Sequence, residues 1–172
     1  QPVLPCRRRR ETLGGFDLLF WHSRHAQRGN DASCVLIVRH RASGVEWVLP
    51  GDLTVTTEQE FLRDDVLQES PTYRIVIAPH HGSKTSSSPA WVTHLAPNLV
   101  VYSAGYRHRF GHPHPSVTAR YRAVGATALN TACSGSLTFS VAAEGLDIVE
   151  ARSRAPFWIS APGLARSQCG QP

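Results

Sequence analysis

Two short, uninterrupted apolar runs constrain this chain most. Ile75-Val76-Ile77-Ala78 and Leu99-Val100-Val101-Tyr102 lack the alternation of a strand with one wet side, so each reads as a strand covered on both faces. Between them, Ser88-Pro89 predicts a helix start, with proline suited to the first turn. Another helix is predicted over 115–124, stopped by Gly125, a residue that ends helices readily. Strands alternating with helices in this way imply a layered α/β protein.

The remaining pattern fits around that centre. Residues 16–20 read as a strand, and 34–38 and 45–49 as a hairpin turning at Ala42-Ser43-Gly44, with glycine in the turn. Thr57 and Glu60 have the spacing of a capping box and predict a helix to about residue 68, with Phe61, Leu62 and Val66 inward. Closing strands are expected over 127–131, 136–141 and 146–151. Residues 1–15 read as an irregular basic lead-in and 152–172, with Pro156, Pro162, Gly163 and Gly170, as a flexible tail. A single unit over 16–151 remains, with no internal repeat.

The 172 residues carry 18 Lys+Arg against 13 Asp+Glu, a net charge of +5. Nearly all of the positive charge is arginine, which suits bidentate phosphate contacts and favours anionic partners. The run Arg7-Arg8-Arg9-Arg10 reads more simply as a solvated loop than as a binding groove, so charge alone does not define a nucleic-acid binder. Cys6, Cys34, Cys133 and Cys169 form no C-x-x-C pair and make no zinc ribbon. Cys34, in an apolar strand, reads as a small buried hydrophobe, and a Cys6–Cys169 bridge stays open. No apolar run approaches the roughly 20 residues of a membrane span, so this chain by itself is expected to be soluble.

Chemistry-bearing residues gather where apolar runs end. Asp52 follows Leu49-Pro50-Gly51 and is either a hard oxygen ligand, able to bridge two divalent ions, or a cap on its own turn. His80 and His81 follow a buried strand and precede Gly82. Adjacent residues on an extended chain point opposite ways, so one imidazole is expected to face a given metal. Ser83 and Lys84 open a hydroxyl-rich stretch suited to phosphate, or simply the lead-in to a helix. In Arg107-His108-Arg109-Phe110-Gly111-His112-Pro113-His114-Pro115 the prolines restrict a loop that presents His112 and His114. His114 can contact phosphate, protonate a leaving oxygen or support a ligand, against the plainer role of a histidine at a helix N-terminus. His22, His25, His40 and His94 have no such setting.

Taken together, Leu49-Pro50-Gly51-Asp52, the segment from Pro79 through Pro89, and the segment from Ser103 through Pro115 closely resemble the C-terminal metallo-β-lactamase-like domain of the ComEC DNA-uptake proteins, over residues 30–139. The resemblance implies a four-layer αββα sandwich, of which this chain is the second half: a mixed sheet with three flanking helices. It implies a site for two zinc or manganese ions, with Asp52 as bridging carboxylate, His81 as ligand and His80 as phosphate or transition-state contact. His114 joins His80 on the reacting group, while Ser83, Lys84, Arg107, Arg109 and His112 contact phosphate or DNA. The partners implied are DNA, single-stranded or duplex, an upstream half of the same domain, and a channel in the bacterial inner membrane that would hold the chain there.

Three departures from the pattern matter. The principal H-x-H-x-D-H segment is absent from this chain and is expected upstream. Asn30 stands where many relatives have a ligand histidine, and His108 stands where asparagine is usual. The leading expectation is therefore a metal-dependent nuclease in the intact parent, inactive as this chain. The rival is a non-catalytic fragment or a module that binds DNA backbone. A serine hydrolase is disfavoured, since no G-x-S-x-G elbow surrounds Ser83,.

Overall fold

A computed structural model describes residues 5–26, 28–67, 70–105 and 109–154. Seven strands form one sheet in chain order: β1 (Arg9–Leu13), β2 (Phe16–Trp21), β3 (Val35–His40), β4 (Val45–Leu49), β5 (Tyr73–Ile77), β6 (Leu99–Tyr102) and β7 (Thr127–Asn130). The first four pair antiparallel and the last four parallel, with β4 belonging to both groups. Each parallel step needs a crossover, supplied by α1 (Val55–Arg63), α2 (Pro89–Leu95) and α3 (Pro115–Ala123),. A separate hairpin, β8 (Leu137–Ala142) with β9 (Gly145–Glu150), follows a one-turn helix α4 (Thr131–Ser134).

The alternation of the central strands divides the core in two. Val48, Val76 and Val100 face the helices and pack with Phe61, Trp91, Val92, Leu95, Val117 and Tyr121. Trp21 and Trp91 each meet Phe61 with ring centroids 5.2 Å apart. Burying one such side chain stabilises the fold by about 2–3 kcal/mol. Val45, Ile75, Leu99 and Val101 face the opposite way, onto Leu137, Phe139, Val141, Leu146 and Ile148 of the hairpin. Strands β5 and β6 are thus covered on both faces, as their continuous apolar runs require. The result is a mixed α/β sandwich with helices on one side of the sheet and a second, smaller sheet on the other.

Several expectations need correction. The lead-in is not irregular throughout, because Arg9–Leu13 forms the edge strand β1. Its arginines are not solvated as a run: Arg8 bonds Glu60 at 3.1 Å and Asp64 at 2.5 Å, and the Arg9 guanidinium lies 4.0 Å from the Phe20 ring centre. Helix α1 starts at Val55 and ends at Arg63, and Thr57 is buried inside it rather than capping it. Asp31 organises that start, its carboxylate accepting from Thr54 N–H at 2.9 Å and from Thr54 Oγ1 at 3.0 Å. Cys34 is exposed and forms a disulfide with Cys6, so it is neither a buried hydrophobe nor is Cys6 available to Cys169. Cys133 is also disulfide-bonded. Helix α4 joins the three expected helices, its first turn capped by Asn130. Ala151–Arg154 is a 3-10 turn, anchored by Arg152 donating to Ala132 O at 2.5 Å. The rest of the expected tail lies outside the described residues. Among the described residues no helix is long and apolar enough to cross a membrane.

Candidate functional site

The ends of β4, β5 and β6 deliver three loops to one edge of the sheet, where a layered α/β fold presents its ligands. The first loop carries Asp52. Gly51, at φ +65°, brings the chain close to Ser33, and a Cβ there would meet Ser33 Cβ at 2.8 Å. Ser33 Oγ accepts from Asp52 N–H at 3.0 Å and donates to Asn30 O at 2.7 Å. The Asp52 turn and the short 3-10 turn Asn30–Ala32 are therefore tied together.

The second loop carries the paired histidines. They do not lie on extended chain as expected. His80 (φ 49°) and His81 (φ 58°) are both left-handed, and Gly82 follows at φ +80°. Left-handed backbone at two successive non-glycine residues is strained and persists only where its surroundings enforce it. His80 N–H donates to Gly51 O at 3.0 Å, Ser83 N–H to His80 O at 2.9 Å, and His114 N–H to Gly82 O at 2.9 Å. A Cβ at Gly82 would meet Pro113 Cβ at 2.8 Å, so the third loop is packed directly on the second.

The two imidazoles have different surroundings. His81 Nδ1 lies 2.7 Å from Ser103 O, which places the proton of a neutral ring on that nitrogen. Its Nε2 is left with a lone pair 3.7 Å from Asp52 Oδ1. A histidine whose far nitrogen is fixed on a carbonyl is oriented as a metal ligand requires. His80 uses both nitrogens within the protein, with Asn30 Nδ2 donating towards Nε2 at 3.3 Å and Thr85 Oγ1 at 3.3 Å from Nδ1. Asp31 backs this arrangement. Burial raises its carboxyl pKa, but hydrogen bonds from Thr54 and Thr57 and the nearby His80 outweigh that and hold it below the usual carboxylate value,.

The remaining sequence candidates are spread around this centre. Ser83 is buried, with Oγ 3.1 Å from Thr85 Oγ1, while Lys84 is exposed. His114 caps α3: its Nδ1 accepts from Ser116 N–H at 3.2 Å and lies 2.8 Å from Ser116 Oγ. The His112 ring is 6.1 Å from that of His80. Arg109 lies against Phe110, its guanidinium carbon 4.6 Å from the ring centre. Arg107 and His108 fall outside the described residues.

Asp52 and His81 supply two donors for a divalent ion. Their 3.7 Å separation approaches the roughly 3.4 Å between two ligands bound tetrahedrally about 2.1 Å from one ion. Among the described residues, however, no three His, Cys, Asp or Glu side chains come together as a metal-binding group. A catalytic site ordinarily has three protein ligands and a structural one four, so the pair fits as part of a set and does not complete one. Sequence reasoning passed over Asp31, Thr85, Ser33 and the Ser103 carbonyl. Of these, Thr85 lay in the hydroxyl-rich stretch opened by Ser83, and Asp31 stood beside Asn30 just before β3, but neither was assigned its supporting role.

The sheet and its loop-built His/Asp edge define a layered α/β protein with a polar site at its strand ends. No protein-family model matches the chain. It is similar to Recombination protein 2 of Haemophilus influenzae, with 31% identity over 156 residues, covering 88% of this chain and 18% of that protein. It is also similar to Competence protein ComA of Neisseria gonorrhoeae, at 27% over 157 residues, covering 91% of this chain and 22% of that one. ComE operon protein 3 of Bacillus subtilis matches at 34% over 90 residues, 51% of this chain and 11% of its own length. The chain is homologous to a segment of these ComEC-like competence proteins. It spans no more than 22% of the length of these relatives.

Proposed function

We propose that this chain carries part of the site of a metal-dependent phosphodiesterase, a nuclease serving DNA uptake in natural transformation. The observation that carries the reading is the facing pair Asp52 and His81, with His81 held by Ser103 O in the tautomer that leaves Nε2 towards the carboxylate. Those two residues would hold divalent zinc or manganese, two ions in the intact protein, which would supply an activated water and stabilise the leaving oxyanion. The chain's own residues then bind and orient. His80, held between Asn30 and Thr85, would contact phosphate by exchanging one of those two bonds for a phosphate oxygen. His112, its ring 6.1 Å from that of His80, Lys84 and Arg109 would add donors for phosphate or DNA, and His114 and Ser83 would hold the loops that carry them. The missing ligands would come from an upstream half that completes the metallo-β-lactamase-like αββα arrangement, itself joined to an inner-membrane channel.

The test compares metal content and nuclease turnover of this chain with those of a version extended upstream, alongside Asp52→Ala in the longer protein. Divalent-dependent cleavage by the long protein, absent from the short chain and from the variant, is the expected result. Unaltered turnover in the Asp52 variant would sink the assignment.

A second reading is favoured by the incomplete donor set and by the capping role of His114. In it the chain contacts DNA backbone without cleaving it. It predicts metal-free binding whose affinity falls with salt and ignores sequence. Affinity that does not respond to salt would remove it.

A further inference from the structure

The loop after β6 contains a side chain that neither reading uses. Phe110 is 60% exposed, and the other exposed large hydrophobics among the described residues, Leu13 and Leu49, are aliphatic. Leaving a ring of this size in water forgoes roughly 2 kcal/mol of burial. The ring is nevertheless held in a defined place. It stacks on His112 with an interplanar angle of 19° and a centroid distance of 6.0 Å, and Arg109 lies against it. From His112 the rings continue to His80 at 6.1 Å and from His80 to His81 at 6.3 Å. Ring contacts, the last two tilted by 58° and 60°, thus connect the exposed Phe110 to the Asp52–His81 pair.

We infer that Phe110, with Arg109, is a stacking platform for an unpaired nucleobase next to the phosphate handled at His80 and His81. Every base has a π-face, and stacking on an aromatic side chain is insensitive to sequence. The guanidinium of Arg109 adds a flat cation suited to both base and phosphate. A base within a duplex keeps its faces covered by its neighbours, so the platform selects single-stranded DNA, or a frayed or unpaired end, over intact helix. Gly111, at φ +62°, turns the chain between Phe110 and His112, letting both rings lie on one side of the loop. This inference rests on the site being one for DNA and names the strand form it takes.

The experiment uses the chain itself in EDTA, so that binding is measured without cleavage. Fluorescence anisotropy follows a labelled single-stranded oligothymidylate and a blunt-ended, G·C-clamped duplex, for the parent, Phe110→Leu and Phe110→Trp. Phe110 lies outside both core clusters, and thermal melts establish that the variants fold. Phe110→Leu is expected to weaken single-strand binding by about 5- to 100-fold, with affinity for the blunt duplex and the salt slope unchanged. Phe110→Trp is expected to restore single-strand binding, with quenching of the introduced indole on stacking. Equal losses on both DNA forms, or no loss on either, would overturn the platform while leaving DNA binding in place. Failure of the parent to bind either DNA would remove the DNA reading and the platform together.

Discussion

His81 Nε2 and Asp52 Oδ1 face each other across 3.7 Å, although the two residues sit on different loops and share no backbone hydrogen bond. The carbonyl of Ser103, on a third loop, fixes the ring from its other side. Three strand ends are therefore needed to set one pair of donor atoms.

Metal binding tests this pair directly. Isothermal titration with zinc is expected to show weak binding to the parent chain, since two donors are not a closed site. Asp52→Ala and His81→Ala should each lower that affinity by roughly tenfold or more. His80→Ala should change it far less, because both His80 nitrogens already have protein neighbours. Equal effects of all three substitutions would mean that His80 also ligates.

His114 can be separated into a capping part and a chemical part. Loss of its bond from Ser116 N–H in His114→Ala should destabilise the chain by about 1 kcal/mol. His114→Asn should retain the cap and most of the stability. If the intact protein keeps its turnover in the His114→Asn variant, the imidazole has no part in proton transfer.

The Cys6–Cys34 disulfide closes a sequence separation of 28 residues. A cross-link over a loop of that size contributes about 3 kcal/mol, chiefly by restricting the unfolded chain. Replacing both cysteines by serine should lower the melting temperature by roughly 6–12 °C. The edge strand β1 follows Cys6 directly, so hydrogen exchange at Arg9–Leu13 should accelerate first. An unchanged melt would show that the ion pairs of Arg8 hold this segment unaided.

Two groups of carboxylates give the stability curve opposite slopes. Burial raises the pKa of Glu58 above its ordinary 4.5, outweighing the hydrogen bonds from Ser87 and Ser88. Its protonated form is favoured in the fold, so its contribution is complete below 4.5 and is lost as pH rises through the raised value. Glu60 and Asp64 behave oppositely. Burial pushes both up, but Ser23, Arg24, His25 and Arg8 around Glu60, and Trp21, Arg8 and Arg24 around Asp64, hold them below their ordinary values of 4.5 and 3.8. Their stabilisation is present above those values and is lost as pH falls through the lowered ones. Denaturant melts across pH should show a maximum between the two windows. Glu58→Gln should flatten the upper limb and Asp64→Asn the lower; a slope unmoved by either would refute the assignment.

The parallel half of the sheet was legible because a strand covered on both faces must be apolar at every position, as Ile75 and Val100 show. Antiparallel β1 was not. An edge strand is held by its backbone, and Arg9, Arg10 and Glu11 carry no alternating signal. The disulfide was equally hidden, since four cysteines allow three pairings and spacing does not choose among them. At the site, residue types and order pointed to Asp52 and the two histidines, but not to their geometry. Nothing in His80-His81 announces left-handed backbone, which local preference opposes and which contacts with Gly51, Ser103 and Pro113 impose. Asp31 went unrecognised as a support because its partner, Thr54, is 23 residues away.

Strand order in the large sheet follows chain order from β1 to β7, so no strand has to be inserted between two that are already joined. Each new strand meets a free edge left by the one before it. The sheet can therefore be laid down progressively, in the direction in which the chain is made or threaded. Every intermediate along the way carries one open edge, at its growing end, besides the edge fixed by β1. Growth by accretion keeps sticky, unpaired backbone to a minimum for a chain in which Pro113 and His114 can pack on Gly82 only after β6 has been added.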